Sequence, residues 1–214
     1  MPLKYAIFDF DMTLVDSIKP LMTSANLLAH EFGLAQVTYQ QVYLAEISVP
    51  NCTFEKLWTQ LWGHYEPAWY QAYADHLTEP EYQAMELFEG GRETLEALNK
   101  GGVIMGLASN RDTPDKPLRT LGILDYFKAI VGQLDVKNVK PAPDMILKAM
   151  ELLGARPEQT LYVCDSKGDL VASQAAGVKA MAMTTGGHSK EELLALGAFK
   201  TGDKLTEVLS LFGQ

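Results

Sequence analysis

Short apolar runs recur along this chain at residues 5–10, 103–108, 129–131, 161–164 and 178–183. From the second run onward, helical or turn-rich segments separate them. That alternation predicts parallel strands joined by crossover helices, hence an α/β sheet with helices on both faces. The punctuation agrees: a helix over residues 92–100 stops at Gly101-Gly102, and one opened by Pro143 runs through Ile146, Met150 and Leu153 to Gly154. With 214 residues, 47% of them hydrophobic, the chain can bury a full core around such a sheet.

Residues 15–88 break the alternation. They read as several helices without a convincing strand, and they are too long for one crossover. All the tryptophans (Trp58, Trp62, Trp69) lie here, with Tyr39, Tyr43, Tyr65, Tyr70 and Tyr73. Trp58, Trp62 and Tyr65 fall at helical spacing on one face, which predicts a small helical core; some of the aromatics could instead line a cleft. The expected organisation is a Rossmann-like core over residues 1–15 and 90–214, with an inserted helical cap domain over residues 16–89. Hinges are expected near residues 15–17 and 88–91, where Gly90-Gly91 give the chain freedom.

The formal net charge of -9 argues against nucleic acid, whose phosphates need a basic footprint. It leaves room for small phosphorylated ligands, because a bound divalent cation can reverse the local sign. No apolar run is long enough to span a membrane, and the N-terminus lacks the order of a signal peptide. Cys52 and Cys164 imply no disulfide framework, so a reducing cytoplasm is the expected compartment.

In an open parallel sheet, ligands bind beyond the carboxyl ends of the strands. The first run leads into FDFDMTLVDS, which carries Asp9, Asp11 and Thr13. The period of two along a strand is expected to point both carboxylates to one side, where they hold a metal or attack a substrate. A loop in which the aspartates make turns and cap the next helix is the alternative. Ser109 and Asn110 follow the second run, and Lys140-Pro141 the loop after the third. Asp165, Ser166 and Asp169 follow the fourth, and the fifth ends without an obvious chemical group. These groups are expected to converge on one crevice. Asp169 three residues after Ser166 is also a helix-capping arrangement. Lys137 lies as near as Lys140, and the histidines (His30, His64, His76, His188) show no metal-ligand spacing.

In this order the four segments resemble the haloacid dehalogenase superfamily of hydrolases: D-x-D-x-T at Asp9, Asp11 and Thr13; Ser109 in LASNR; Lys140 in KPAPD; Asp165 and Asp169 in VCDSKGDL. GILDYF, SQAAGVKA and TTGGHSKEEL are similar to its phosphoglycolate phosphatase-like branch. The likeness is strongest over residues 3–16 and 86–199. It implies a Mg2+-dependent phosphomonoesterase for a small phosphorylated metabolite such as phosphoglycolate or a sugar phosphate. Asp9 would be the nucleophile that forms an aspartyl phosphate, and Asp11 the general acid and then base. Thr13, Ser109, Asn110 and Lys140 would bind phosphate. The metal set would be Asp9, Asp11 (through its backbone carbonyl), Asp165 and Asp169, the last acting through water or orienting Lys140.

The sequence departs from the family pattern at Met12, where glycine is usual and where a backbone N–H is expected to serve phosphate, and at Cys164, which replaces a glycine. In the helical stretch, EISVPNCTFEKLW lacks the glycine and arginine expected of close phosphoglycolate phosphatases. A phosphomutase of the β-phosphoglucomutase type would use the same motifs, and a phospho-ligand binding protein without turnover is the reading from another class. A monomer or homodimer is expected.

Overall fold

The computed structural model describes residues 2–48 and 53–213. In chain order, strand β1 (Tyr5–Phe8) leads into helices α1 (Ile18–Phe32), α2 (Tyr39–Ser48), α3 (Phe54–Trp62), α4 (Pro67–Ala72) and α5 (Thr78–Gln83). Helix α6 (Gly91–Lys100), strand β2 (Ile104–Ala108), helix α7 (Asp115–Thr120) and strand β3 (Phe127–Val131) follow. The chain continues through α8 (Asp144–Leu153), β4 (Thr160–Cys164), α9 (Lys167–Ala175), β5 (Lys179–Met183), α10 (Lys190–Ala195) and β6 (Lys200–Gly202). Two compact units result: Met1–Val15 with Leu87–Gln214, and Asp16–Glu86.

The first unit is built on a six-stranded, wholly parallel sheet of order β3-β2-β1-β4-β5-β6. Strand β6, a three-residue edge strand, has no counterpart among the apolar runs; Lys200 and Thr201 do not read as a strand. The strand order reverses between β1 and β4, and a crevice opens at such a switch point. Register puts Phe8 beside both Leu107 and Val163, so β1, β2 and β4 end level with one another.

Both faces of the sheet are covered, which is why its strands read as near-continuous apolar runs. Ile7, Tyr162, Cys164 and Ala182 share one face with Met145, Ile146 and Ala149 of α8 and Leu170 of α9. The alternate residues Phe8, Val163 and Met181 are fully buried too. Each large apolar side chain buried this way contributes about 1.5–3 kcal/mol. Helix α8 ends at Gly154, whose φ of 63° accepts the left-handed turn. Helix α9 begins at Ser166, whose Oγ accepts the Asp169 N–H.

The second unit is helical. Leu28, Leu57, Trp58, Trp69, Tyr73 and Leu77 form its core, with Trp62 and Tyr65 packed against it. Trp58 and Tyr65 stack at 6.1 Å, although Tyr65 lies beyond the end of α3, past the left-handed Gly63. Buried Tyr73 donates to Glu81 at 2.7 Å. Leu87–Glu89 belong with the sheet unit, since Val15 bridges Leu87 and the Phe88 N–H bonds the Leu14 carbonyl. Gly90 lies close to Thr206, and Gly91 to Leu205 and Leu87. Cys52 and part of the EISVPNCTFEKLW segment lie outside the described residues.

Candidate active site

Strand β1 ends at Phe8, one residue before Asp9, so the carboxylates of Asp9 and Asp11 are placed by the turn that follows and not by strand alternation. The two part company. Asp9 is buried and meets the Lys140 ammonium at 2.5 Å. Asp11 is taken by Arg111, whose Nε donates to both carboxylate oxygens (3.1 and 2.9 Å) while a terminal nitrogen donates at 2.6 Å. Asp9 and Asp11 thus take different cations, although Asp11 still acts on Asp9 through charge repulsion.

Lys140 is the hub of the buried charge. Besides Asp9 it pairs with Asp169 at 2.7 Å and donates to the Ala108 carbonyl and to the Tyr162 hydroxyl, both at 3.1 Å. Asp169 also accepts from Tyr162 at 2.8 Å and from Ser166 at 2.5 Å. Capping of α9 and orientation of Lys140 thus coexist in one residue pair. Asp165 accepts from Thr13 Oγ1 at 2.7 Å in a buried contact. Ser109 is buried at the end of β2, its N–H on the Val131 carbonyl, and Asn110 donates to the Lys140 carbonyl at 3.5 Å.

Electrostatics follow from three buried carboxylates sharing one ammonium. Burial raises the Asp9 pKa from 3.8 to about 7, against the pull of Lys140 and with help from Asp169. Burial and the nearby Asp9 push Asp165 well up as well. Asp169 goes the other way: burial would raise it, but Lys140 and its hydroxyl donors hold it below the usual carboxylate range. Burial would lower Lys140, and the carboxylates of Asp169 and Asp9 outweigh that and keep it charged. Cys164, buried behind the cluster, has its thiol pushed up by burial.

Carboxylate oxygens of Asp9, Asp165 and Asp169 lie within 4.8 Å of one another, the one such group of potential metal ligands among the described residues. Uncompensated negative charge on hard oxygens suits Mg2+ or a similar cation. Asp169 accepts from Tyr162, Ser166 and Lys140, whereas Asp165 accepts from Thr13 and Asp9 from Lys140. The Asp11 side chain stands outside the group, held by Arg111.

Several residues escaped the sequence reading. The stretch after β5 does contribute: the Thr185 hydroxyl donates to the Met12 carbonyl, and Gly186 lies so close to Asp165 that a Cβ there would collide with its Oδ2. Met12 adopts a φ of 55°, and its N–H bonds the Val15 carbonyl, so the donor expected to serve phosphate is engaged in the turn. Tyr162 was hidden inside an apolar strand. Arg111 follows Ser109-Asn110 directly, and that adjacency was the one signal that could have found it.

A parallel α/β sheet with acidic, lysine and hydroxyl groups gathered at its switch point is the architecture of a hydrolase core with an aspartate-centred site. The chain belongs to the haloacid dehalogenase-like hydrolases, whose pattern it matches over residues 6–183. It is 40% identical over 112 residues to a phosphoglycolate phosphatase of Salmonella choleraesuis, a stretch covering 51% of this chain and 44% of that protein. The chain therefore spans less than half the length of this curated relative. Among solved structures it is similar to a subfamily IA hydrolase of the same superfamily from Geobacter sulfurreducens, with a TM-score of 0.80 and 25% identity over 99% of this chain and 97% of that one. A Thermotoga maritima chain named as a candidate β-phosphoglucomutase shares the fold, with a TM-score of 0.79 and 23% identity over 97% and 99% of the two chains.

Proposed function

We propose that this protein is a phosphomonoester hydrolase that acts on a small phosphorylated metabolite through an aspartyl phosphate on Asp9. The observation that carries the reading is Asp9 itself, buried at the end of β1 between Lys140 and the second carboxylate pair. Asp9 Oδ attacks phosphorus, forming an O–P bond as the bond to the leaving oxygen breaks. Asp11 supplies the proton that the leaving oxygen needs. Asp11 then takes a proton from water as that water attacks phosphorus, releasing phosphate and restoring Asp9. Lys140, with Ser109, Asn110 and Thr13 around it, neutralises and positions the transferring group, since phosphoryl transfer depends chiefly on positioning and charge stabilisation.

Mg2+ is the proposed cofactor, held by the carboxylates of Asp9 and Asp165 and the backbone carbonyl of Asp11, and it would supply the positive charge that keeps Asp9 ionised near neutral pH. Asp169 serves the site by holding Lys140. The helical unit, Asp16–Glu86, is proposed as the substrate-selecting cap. The phosphoglycolate phosphatase relatives make phosphoglycolate the first substrate to try. Among the described residues no helix is long and apolar enough to cross a membrane, and a cytoplasmic, monomeric or dimeric enzyme that does not bind nucleic acid is part of the proposal.

The test is phosphate release with Mg2+ from phosphoglycolate, sugar phosphates, nucleoside monophosphates and pyrophosphate, with Asp9→Asn as blank. Turnover by wild type and none by the variant is the expected result. Release by Asp9→Asn at the wild-type rate would overturn the mechanism. A need for a sugar bisphosphate activator would favour a mutase instead.

A further inference from the structure

Arg111 is built into the site with unusual care. Its N–H bonds Ser109 Oγ at 3.3 Å, and its carbonyl accepts from the Gln133 N–H at 2.9 Å. Gly132 lies so close that a Cβ there would fall 2.8 Å from the Arg111 carbonyl oxygen. The guanidinium carbon sits 5.3 Å from the centroid of the buried Phe10 ring. Backbone and side chain are thus fixed independently, and the fork grips a carboxylate through Nε and one terminal nitrogen.

That carboxylate belongs to Asp11, the residue whose place in the reaction is at the leaving oxygen. A guanidinium gripping Asp11 therefore stands beside the leaving group and away from the transferring phosphoryl, which the buried Lys140 serves. The Arg111 side chain is also the more exposed of the two cations, at 20% against 7% for Lys140. Both oxygens of Asp11 accept from Arg111.

We propose that Arg111 is a specificity-determining residue that exchanges its bidentate grip on Asp11 for a carboxylate on the leaving group of the substrate. Asp11 occupies the position that a substrate acid takes. Binding of a phosphorylated hydroxy acid moves the fork onto the ligand and releases Asp11 to reach the leaving oxygen. A phosphate ester of an uncharged alcohol has nothing to offer the fork, so Asp11 stays clamped. The proposal rests on the hydrolase reading for the role of Asp11. It deepens that reading by naming the substrate class and the residue that selects it.

Binding tests the inference separately from turnover. Affinities of the Asp9→Asn protein for phosphoglycolate and for 2-hydroxyethyl phosphate, which has a hydroxymethyl group where the acid has its carboxylate, are measured by calorimetry with Mg2+. The measurement is repeated in Asp9→Asn proteins that also carry Arg111→Met or Arg111→Lys. The expected result is a loss of about 100-fold for phosphoglycolate on Arg111→Met, a smaller loss on Arg111→Lys, and a change of no more than about three-fold for the alcohol ester. Equal losses for the two ligands, or no loss for the acid, would overturn the proposal. Unfolding midpoints of the variants identify any loss caused by misfolding, and Arg111→Lys then decides the question. Failure of the hydrolase reading would show separately, as wild type that releases no phosphate from either ester.

Discussion

Removing the charge of Asp9, the proposed nucleophile, should stabilise the metal-free protein. Asp9 sits among buried carboxylates, and its pKa of about 7 against 3.8 means that the fold favours the protonated form. For a carboxyl raised in the folded state, the native protein binds more protons than the unfolded chain between those two values. Stability therefore falls as pH rises from about 4 to about 7 and stays low above that. Asn at position 9 resembles the protonated acid and keeps an oxygen for Lys140, so Asp9→Asn escapes the penalty. At about 1.4 kcal/mol per pH unit, the variant gains about 4 kcal/mol over wild type at pH 8 and about 2 kcal/mol at pH 5. In a chain of this size the larger gain raises the melting temperature by about 8–16 °C, an upper range because water penetration softens buried charge. The assay is urea or thermal unfolding in EDTA at the two pH values. Added Mg2+ should narrow the gap by stabilising wild type selectively. An Asp9→Asn protein no more stable than wild type at pH 8, or a gain independent of pH, would refute the electrostatic account of the site.

Lys140→Met should act in the opposite sense, since it strips Asp9 and Asp169 of their shared cation; a loss of about 3–5 kcal/mol in urea unfolding at pH 8, with turnover abolished, is expected. Gly186→Ala should weaken Mg2+ binding by about ten-fold or more in calorimetry, because the new methyl must displace Asp165, whose backbone oxygen lies 2.6 Å from the methyl position as well. Met12→Gly should relieve about 1 kcal/mol of left-handed strain yet lose about 2–5 kcal/mol of buried side chain, so a net drop in unfolding free energy is expected despite a glycine at the family's usual glycine position.

The sheet was legible because strand and helix signals are local: β2, β4 and β5 lie within a residue of their apolar runs, and α8 ends at the glycine that marked it. Motif order likewise placed Asp9, Lys140, Asp165 and Asp169 at strand ends, since a parallel sheet brings all its carboxyl ends to one edge. What the sequence could not supply was the pairing of charges. Asp11 lies two residues from Asp9 but takes a partner 100 residues away, while Asp9 finds its cation at a separation of 131 and Thr13 reaches Asp165 across 152. Strand periodicity predicted two carboxylates on one side, yet β1 stops before either, and the turn that follows it places them. Residues 184–187, directly after β5, carry no charge, and their role emerges only where Gly186 is packed against Asp165. Local pattern therefore determined the fold class and the roster of acidic, hydroxyl and lysine groups. Tertiary packing alone decided which carboxylates share Lys140, which one Arg111 holds, and so which pKa values move, because desolvation and Coulomb energy depend on through-space distance and not on position along the chain.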